Sequence, residues 1–324
     1  MTAQPDLFGE SAAAERTREG EGVARDAQIL RLASQLSPRI HLGESWGTSF
    51  ASAGGIRKSP MSGGDLPNHG IEALARHPLF RAVGLDHAFY APLREDEFRR
   101  FAGQVPADIR FLVKAPQSLT AAYRFESREP SAHFLDPAAA RHLFVDPCVA
   151  GLGIAAGPLV FQFPPQGRTT TREPAAFALR LETFVRGLPP GPLYAVEFRD
   201  RELLGPDTMR ALARGGVRLC LSVHARMPPA PVQAAAATST GAGPLVIRWN
   251  LRSGHAPDET DARAAPRDRL VGEDAVTRAQ IATLCRDSAQ QGQDAWVIAN
   301  DEAQGCAPRT VERLAQAIVD GSRG

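Results

Sequence analysis

Lysine is nearly missing from this chain. Of its 37 basic residues only Lys58 and Lys114 are lysines, and arginine carries the rest of the positive charge. Arginine does not give up its proton near neutral pH, so a lysine kept against this bias marks a place where a titratable amine has a use. Lys58 falls in a Gly-rich stretch, whereas Lys114 ends an apolar run. Cysteine is sparse as well. Cys148, Cys220, Cys285 and Cys306 are far apart and form no C-x-x-C pair, which leaves a zinc ribbon or a thioredoxin-type site without support. Unpaired thiols fit a reducing compartment, so a cytoplasmic location is expected. No apolar run reaches the ~18 residues of a membrane span. No basic segment precedes an apolar stretch at the N-terminus, so no secretory signal is expected. Excess charge of one sign is lacking too. The formal net charge is +1, so no global field favours nucleic acid or an anionic membrane, and recognition by charge must be local.

What is present is a repeating pattern. Residues 1–38 read as a tail, small and polar to about Asp26 and expected to be disordered, with a short helix over 26–36 whose apolar face holds Ile29, Leu30, Leu32, Ala33 and Leu36. From 39 to 324, short β-branched or aromatic runs alternate with helical stretches. The strands are expected at 39–45, 81–90, 109–115, 157–163, 193–199, 217–224, 244–250 and 294–300. Helices are expected at 92–105, 136–146, 172–187, 206–215, 273–291 and 308–319. Eight strands alternating with helices over one domain predict an α/β fold, a single (β/α)8 TIM-type barrel. A doubly wound sheet is the alternative, weakened because no G-x-G-x-x-G follows the first strand. The segments 46–70, 116–135, 225–243 and 251–268 read as long connections after strand ends, all on one face of such a barrel.

Alternation within the strands locates a site. Side chains of a strand point alternately to its two faces. Phe111 and Val113 oppose Leu112 and Lys114. Leu159, Phe161 and Phe163 oppose Val160 and Gln162. Tyr194, Val196 and Phe198 oppose Ala195, Glu197 and Arg199. Leu219, Leu221 and Val223 oppose Cys220, Ser222 and His224. Leu245, Ile247 and Trp249 oppose Val246, Arg248 and Asn250. The bulky faces must pack on helices, so the other faces point into the barrel and turn polar only at the strand C-termini. Unpaired charge cannot stay buried there without a large penalty, so these groups pair or reach solvent at the mouth. Catalytic groups of this fold come from the same strand ends. The candidate ring is Lys114, Gln162, Glu197, Arg199, Ser222, His224, Arg248, Asn250 and Asn300. The same charges also read as structural ion pairs that plug the barrel.

Seven motifs in these strands and their flanks resemble the YecE-like family, domain of unknown function 72. They are HAFY (87–90), FLVKAP (111–116), GPLVFQFPP (157–165), AVEFRD (195–200), VRLCLSV (217–223), LVIRWN (245–250) and APRTVERL (307–314). The resemblance spans about residues 39–319. It implies a TIM-type barrel related to sugar isomerases, with no established reaction, and it picks out Tyr90, Lys114, Gln162, Glu197, Arg199, Arg248 and Asn300. Gly84 and Val223 stand where that family usually has acidic residues, a His-Gly pair near Asn250 is missing, and its Gly-Trp step reads here as Trp46-Gly47.

The ring carries Lys114, Arg199 and Arg248 against Glu197, a cationic balance that suits a small anion such as a phosphosugar or a sugar acid. Glu197 is the expected general acid/base and Lys114 its electrostatic partner or a Schiff-base amine. Tyr90, Gln162, Arg199, Ser222, His224, Arg248, Asn250 and Asn300 are expected to bind substrate. Gly305 and Arg309, at the start of the last helix, could hold a phosphate on free N–H groups or could form an ordinary helix cap. No cofactor is evident. A metal on His87, Glu197 and His224 stays open, although no H-x-x-x-H or H-x-H spacing supports it. In the tail, Gln4, Leu7 and Phe8 of Gln-Pro-Asp-Leu-Phe resemble the peptide by which bacterial DNA-replication proteins dock on the sliding clamp. Three functions therefore stand: a barrel enzyme on a small anionic sugar-like or phosphorylated substrate, a clamp-tethered factor acting on a nucleotide or abasic sugar-phosphate, and a non-catalytic small-molecule binding protein.

Overall fold

The structure, a computed structural model, describes residues 25–46, 71–72, 74–124, 127, 129–251 and 269–322. Eight parallel strands close a barrel in sequence order: β1 (Ile40–Trp46), β2 (Phe80–Leu85), β3 (Arg110–Lys114), β4 (Ala156–Phe163), β5 (Tyr194–Phe198), β6 (Arg218–Val223), β7 (Leu245–Trp249) and β8 (Ala295–Ala299). The last strand returns to the first with Ile40 opposite Ala295 and Glu44 opposite Ala299. The expected α/β barrel is the fold, and seven strands lie within a residue of the expected bounds. The second does not. It ends at Leu85, and a 3-10 turn, His87–Phe89, replaces its expected second half. No helix among the described residues is long and apolar enough to cross a membrane.

The interior follows the period of two. Ala82, Leu112, Val160, Ala195, Cys220, Val246, Trp296 and Ile298 pack together inside the barrel. Phe111, Leu159, Phe161, Val196, Leu219, Ile247 and Trp249 belong to the larger core under the helices. There Phe161 meets Phe144 and Phe184 edge-on at 5.6 and 5.1 Å between ring centroids, the favoured geometry for aromatic pairs. One step of two residues beyond the interior layer comes the polar ring: Leu112 leads to Lys114, Val160 to Gln162, Ala195 to Glu197, Cys220 to Ser222 and Val246 to Arg248.

The helical layer differs from expectation where composition hides helices. Residues 225–243, expected to be a connector, contain the helix Ala230–Ala237. Its alanine run has no apolar stripe to betray it, yet alanine has the highest helix propensity. The expected loop 116–135 includes the helical turn Gln117–Thr120. The segment expected at 136–146 runs on through a π-turn, Arg141–Val145, to Asp146–Leu152. The one expected at 172–187 is two helices, Arg168–Arg172 and Pro174–Arg186, parted at the residue before a proline. Pro206–Gly215 matches expectation and ends on Gly216 in the left-handed region. Residues 25–35 are helical and bury Ile29, Leu32 and Leu36. Leu30, expected on that face, is exposed. Helix 25–35 is tied to the last helix, Ala307–Asp320, by an Arg25–Glu312 ion pair and a Gln28–Gln316 hydrogen bond of 3.0 Å.

Candidate active site at the barrel mouth

Glu197, the last inward residue of β5, is the hub. It is fully buried and meets four donors. Ser222 Oγ donates to Oε1 at 2.8 Å, Asn250 Nδ2 to Oε1 at 3.2 Å and Arg248 Nη1 to Oε2 at 3.1 Å. Arg199 Nη2 lies 2.8 Å from Oε1. Burial alone would raise the Glu197 pKa, but Arg199, Arg248, Lys114 and the Ser222 hydroxyl outweigh it and hold the carboxyl down at about 2. Gln162 is its register partner on β4 and is buried.

Arg248 reaches across the barrel. Its Nη2 donates to both carboxylate oxygens of Asp86, at 2.6 Å to Oδ1. Burial opposes the charged guanidinium, yet Asp86 and Glu197 on either side push its pKa above the ordinary arginine value. Asp86 is the functional candidate that sequence reasoning missed. It stands one residue past β2, and the phase Ala82, Gly84, Asp86 aims it inward. The acid expected from the family at position 84 has no room, since a Cβ on Gly84 would lie 2.8 Å from Ile298 Cγ2. Asp86 supplies a carboxylate one step higher. Val223, the other departure, packs in the helix-facing core.

Lys114 ends β3 with its Nζ 3.5 Å from the centroid of the Phe89 ring, and it is nearly buried. Burial lowers its pKa, Asp86 and Glu197 raise it, and Arg248 and Arg199 lower it, leaving the amine at about 7. Among the described residues, no carboxylate stands within ion-pair distance of this amine. The other charges of the cluster balance: Asp86 and Glu197 against Arg199 and Arg248. Lys114 is the charge left over.

Around the hub, three buried nitrogens have no hydrogen-bond partner among the described residues: Arg199 Nε, Arg248 Nε and His224 Nδ1. Native interiors rarely leave such groups unmet. His224 is kept neutral, with its pKa lowered to about 4 by burial and by Arg199 against the pull of Glu197. Arg199 also borders a surface cavity of about 670 Å³ with Arg201 and Arg226. The Ser222 backbone is clamped from outside. Strands β5 and β6 pair only at Ala195–Arg218 and Val196–Leu219. Beyond that point the Gln233 side chain takes the place of the missing strand, accepting from Ser222 N at 2.9 Å and donating to Ser222 O at 2.8 Å. Gln233 was hidden in the unrecognised alanine helix.

The remaining expected residues divide. Asn300 is buried at the end of β8, its N–H bonded to Trp249 O at 2.8 Å. Tyr90 is exposed on the turn after β2. Gly305 and Arg309 are not drawn into the ring. The first N–H of the last helix is met by a protein carboxylate, Ala307 N to Asp301 Oδ1 at 2.8 Å, the stabilising place for an anion. Gly305 adopts φ 92° to make that turn, and Arg309 pairs with Glu312 at 3.4 Å. The structure does not gather His87, Glu197 and His224 into a metal-ligating group, and no such cluster of three exists among the described residues. His87 is exposed and faces Trp46 at 6.3 Å. Gln4, Leu7, Phe8, Gly47 and Lys58 lie outside the described residues.

A closed parallel barrel with a polar cluster at its strand C-termini defines a TIM-type barrel with its candidate site in the usual place for that fold. The family described as "Protein of unknown function DUF72" matches residues 63–323, and the chain belongs to that family. Solved relatives share the fold. A DUF72 protein of Enterococcus faecalis is 15% identical, covers 86% of this chain and 95% of its own, and superposes with a TM-score of 0.58. One from Thermotoga maritima is 17% identical, with 86% and 98% covered and a TM-score of 0.55. No curated protein matches the chain.

Proposed function

We propose that the barrel mouth binds a small anionic, sugar-like or phosphorylated substrate and that Lys114 exchanges a proton with it. The observation that carries this reading is the unmatched amine. Two arginines and two carboxylates neutralise one another, and among the described residues Lys114 meets the Phe89 ring and no carboxylate. A buried amine near pH 7 is what acid/base chemistry needs, because both protonation states are populated at the working pH. Glu197 suits a different task from the proton transfer expected of it. A carboxyl held at about 2 and filled by four donors stays ionised, and it fixes the aim of Arg199 and Arg248. Arg199, whose side chain borders an open cavity, supplies donors for the anion's oxygens. Isomerase, lyase and hydrolase reactions of sugar-like substrates all draw on such a proton relay.

The test is a binding panel of sugar phosphates, sugar acids and nucleotides read by thermal shift, on the wild type and on Lys114→Met and Glu197→Gln. At least one anion should stabilise the wild type and lose its effect in Lys114→Met. If every compound shifts all three proteins equally, the reading is wrong. A reading as a non-catalytic binding protein separates at the next step, since it predicts tight binding with no turnover of the same compound.

A further inference from the structure

We propose that the cleft beside Lys114 is a stacking subsite for the planar base of a nucleotide whose phosphate lies on the barrel mouth. This deepens, and rests on, the anion-binding reading above. The cleft has a volume of about 460 Å³, and five rings line it: Phe89, Tyr90, Pro92, Pro116 and Tyr123. The chain has only three tyrosines. Tyr194 is buried, with its hydroxyl donating to Pro189 O at 2.8 Å. The other two both open onto this cleft, Tyr90 at 67% exposure and Tyr123 at 58%.

Tyr90 and Tyr123 come from different segments of the chain and turn their exposed rings to the same cleft. Aromatic faces turned to a cleft bind other flat faces by stacking. Phe89 joins the cleft to the charged centre, because its ring lines the cleft and carries the Lys114 ammonium at 3.5 Å. Phe89 and Tyr90 meet edge-on at 5.5 Å, which sets the pitch of the wall. A ligand that fills both places is anionic at one end and flat at the other. The remaining polar lining chooses between a base and a sugar ring. Among the described residues it consists of Gln117, Arg124 and three serines, with no carboxylate. Sugar hydroxyls call for acceptors such as Asp and Glu, whereas a nucleotide carries its own negative charge and is drawn by Arg124 and Lys114. The volume falls in the range of small-molecule sites.

Isothermal titration of the full chain tests this with adenosine 5′-monophosphate, uridine 5′-monophosphate, ribose 5-phosphate and adenosine. At least one nucleotide should bind about tenfold or more tightly than ribose 5-phosphate, the scale of one stacked base. The double variant Tyr90→Ala/Tyr123→Ala should erase that advantage and leave ribose 5-phosphate unaffected. Tyr90→Phe/Tyr123→Phe should keep it, which separates stacking from misfolding. Lys114→Met should weaken both ligand types alike. If ribose 5-phosphate binds as well as both nucleotides, the subsite is refuted while the anion reading stands. Tyrosine-dependent binding of adenosine with no binding of any phosphate refutes the anion reading and leaves the stacking cleft. No binding of any of the four refutes both.

Discussion

Replacing Lys114 with methionine should make the protein more stable while removing its ligand response. The amine titrates near 7 in the folded chain against 10.5 for the free side chain, because the barrel strips it of water. A folded pKa below the unfolded one means that the unfolded state holds the proton more tightly. Below pH 7 both states are protonated and the folded state bears the whole penalty, about 5 kcal/mol for a difference of this size. From pH 7 to 10.5 the unfolded state still carries the proton and the folded state does not, so stability rises with pH until the penalty vanishes. The Phe89 ring under the ammonium returns up to about 2 kcal/mol of this as a cation–π contact. Methionine fits the four-carbon stem without a charge. Urea denaturation should therefore show Lys114→Met more stable than wild type by about 3–5 kcal/mol at pH 6 and by no more than about 2 kcal/mol at pH 9. Equal or lower stability of the variant at pH 6, or a difference that does not narrow with pH, would refute the argument that this amine is held at a cost in stability for its chemistry.

Glu197→Gln should destabilise by about 3–5 kcal/mol, because it leaves Arg199 and Arg248 buried with one carboxylate fewer; urea denaturation at pH 7 reads it. The same carboxyl, held at about 2 against 4.5 unfolded, contributes stability above pH 4.5 that is lost as pH falls towards 2, and the variant should lack that part of the acid transition. Gly84→Asp should cost at least about 2 kcal/mol, since the new Cβ meets Ile298 at 2.8 Å; a fully stable variant would show that the barrel makes room for an acid at this position. Gln233→Leu should cost about 2–4 kcal/mol by leaving the N–H and carbonyl of Ser222 unmet, again by denaturation. For the tail, we propose clamp docking through Gln4, Leu7 and Phe8; a bacterial sliding clamp should retain the intact chain in a pull-down and release Leu7→Ala/Phe8→Ala, and equal retention of both would end the idea.

Much of the site could be read before any coordinates because a strand's period of two is rigid. Once Phe111, Phe161 and Trp249 are assigned to the helical side, Lys114, Gln162 and Arg248 have nowhere to point but inward. The period stops being informative where the strand stops. The segment LDHAFY is aromatic and reads as strand, so the turn at Asp86 and the inward carboxylate it creates passed unseen. Gln233 was lost for the opposite reason, in a helix whose alanines carry no stripe. Protonation lay further out of reach. Alternation places Glu197 at the mouth, but its four donors come from the residue after β5, from β6, from β7 and from the residue after β7, and only their convergence shows that it stays ionised. Gly305 and Arg309 show the same limit at the last helix, where Asp301 reaches the helix start that a sequence leaves looking open.

The scarcity of lysine makes the central claim measurable directly. With only Lys58 and Lys114 in the chain, selective ¹³C-lysine labelling gives two side-chain resonances, and Lys58→Arg assigns them. Titrated by NMR, the Lys114 resonance should shift with a midpoint near 7, and saturating inorganic phosphate should move that midpoint upward. A midpoint near 10.5 that phosphate leaves in place would mean the amine is an ordinary solvated charge and the barrel mouth is not built around it.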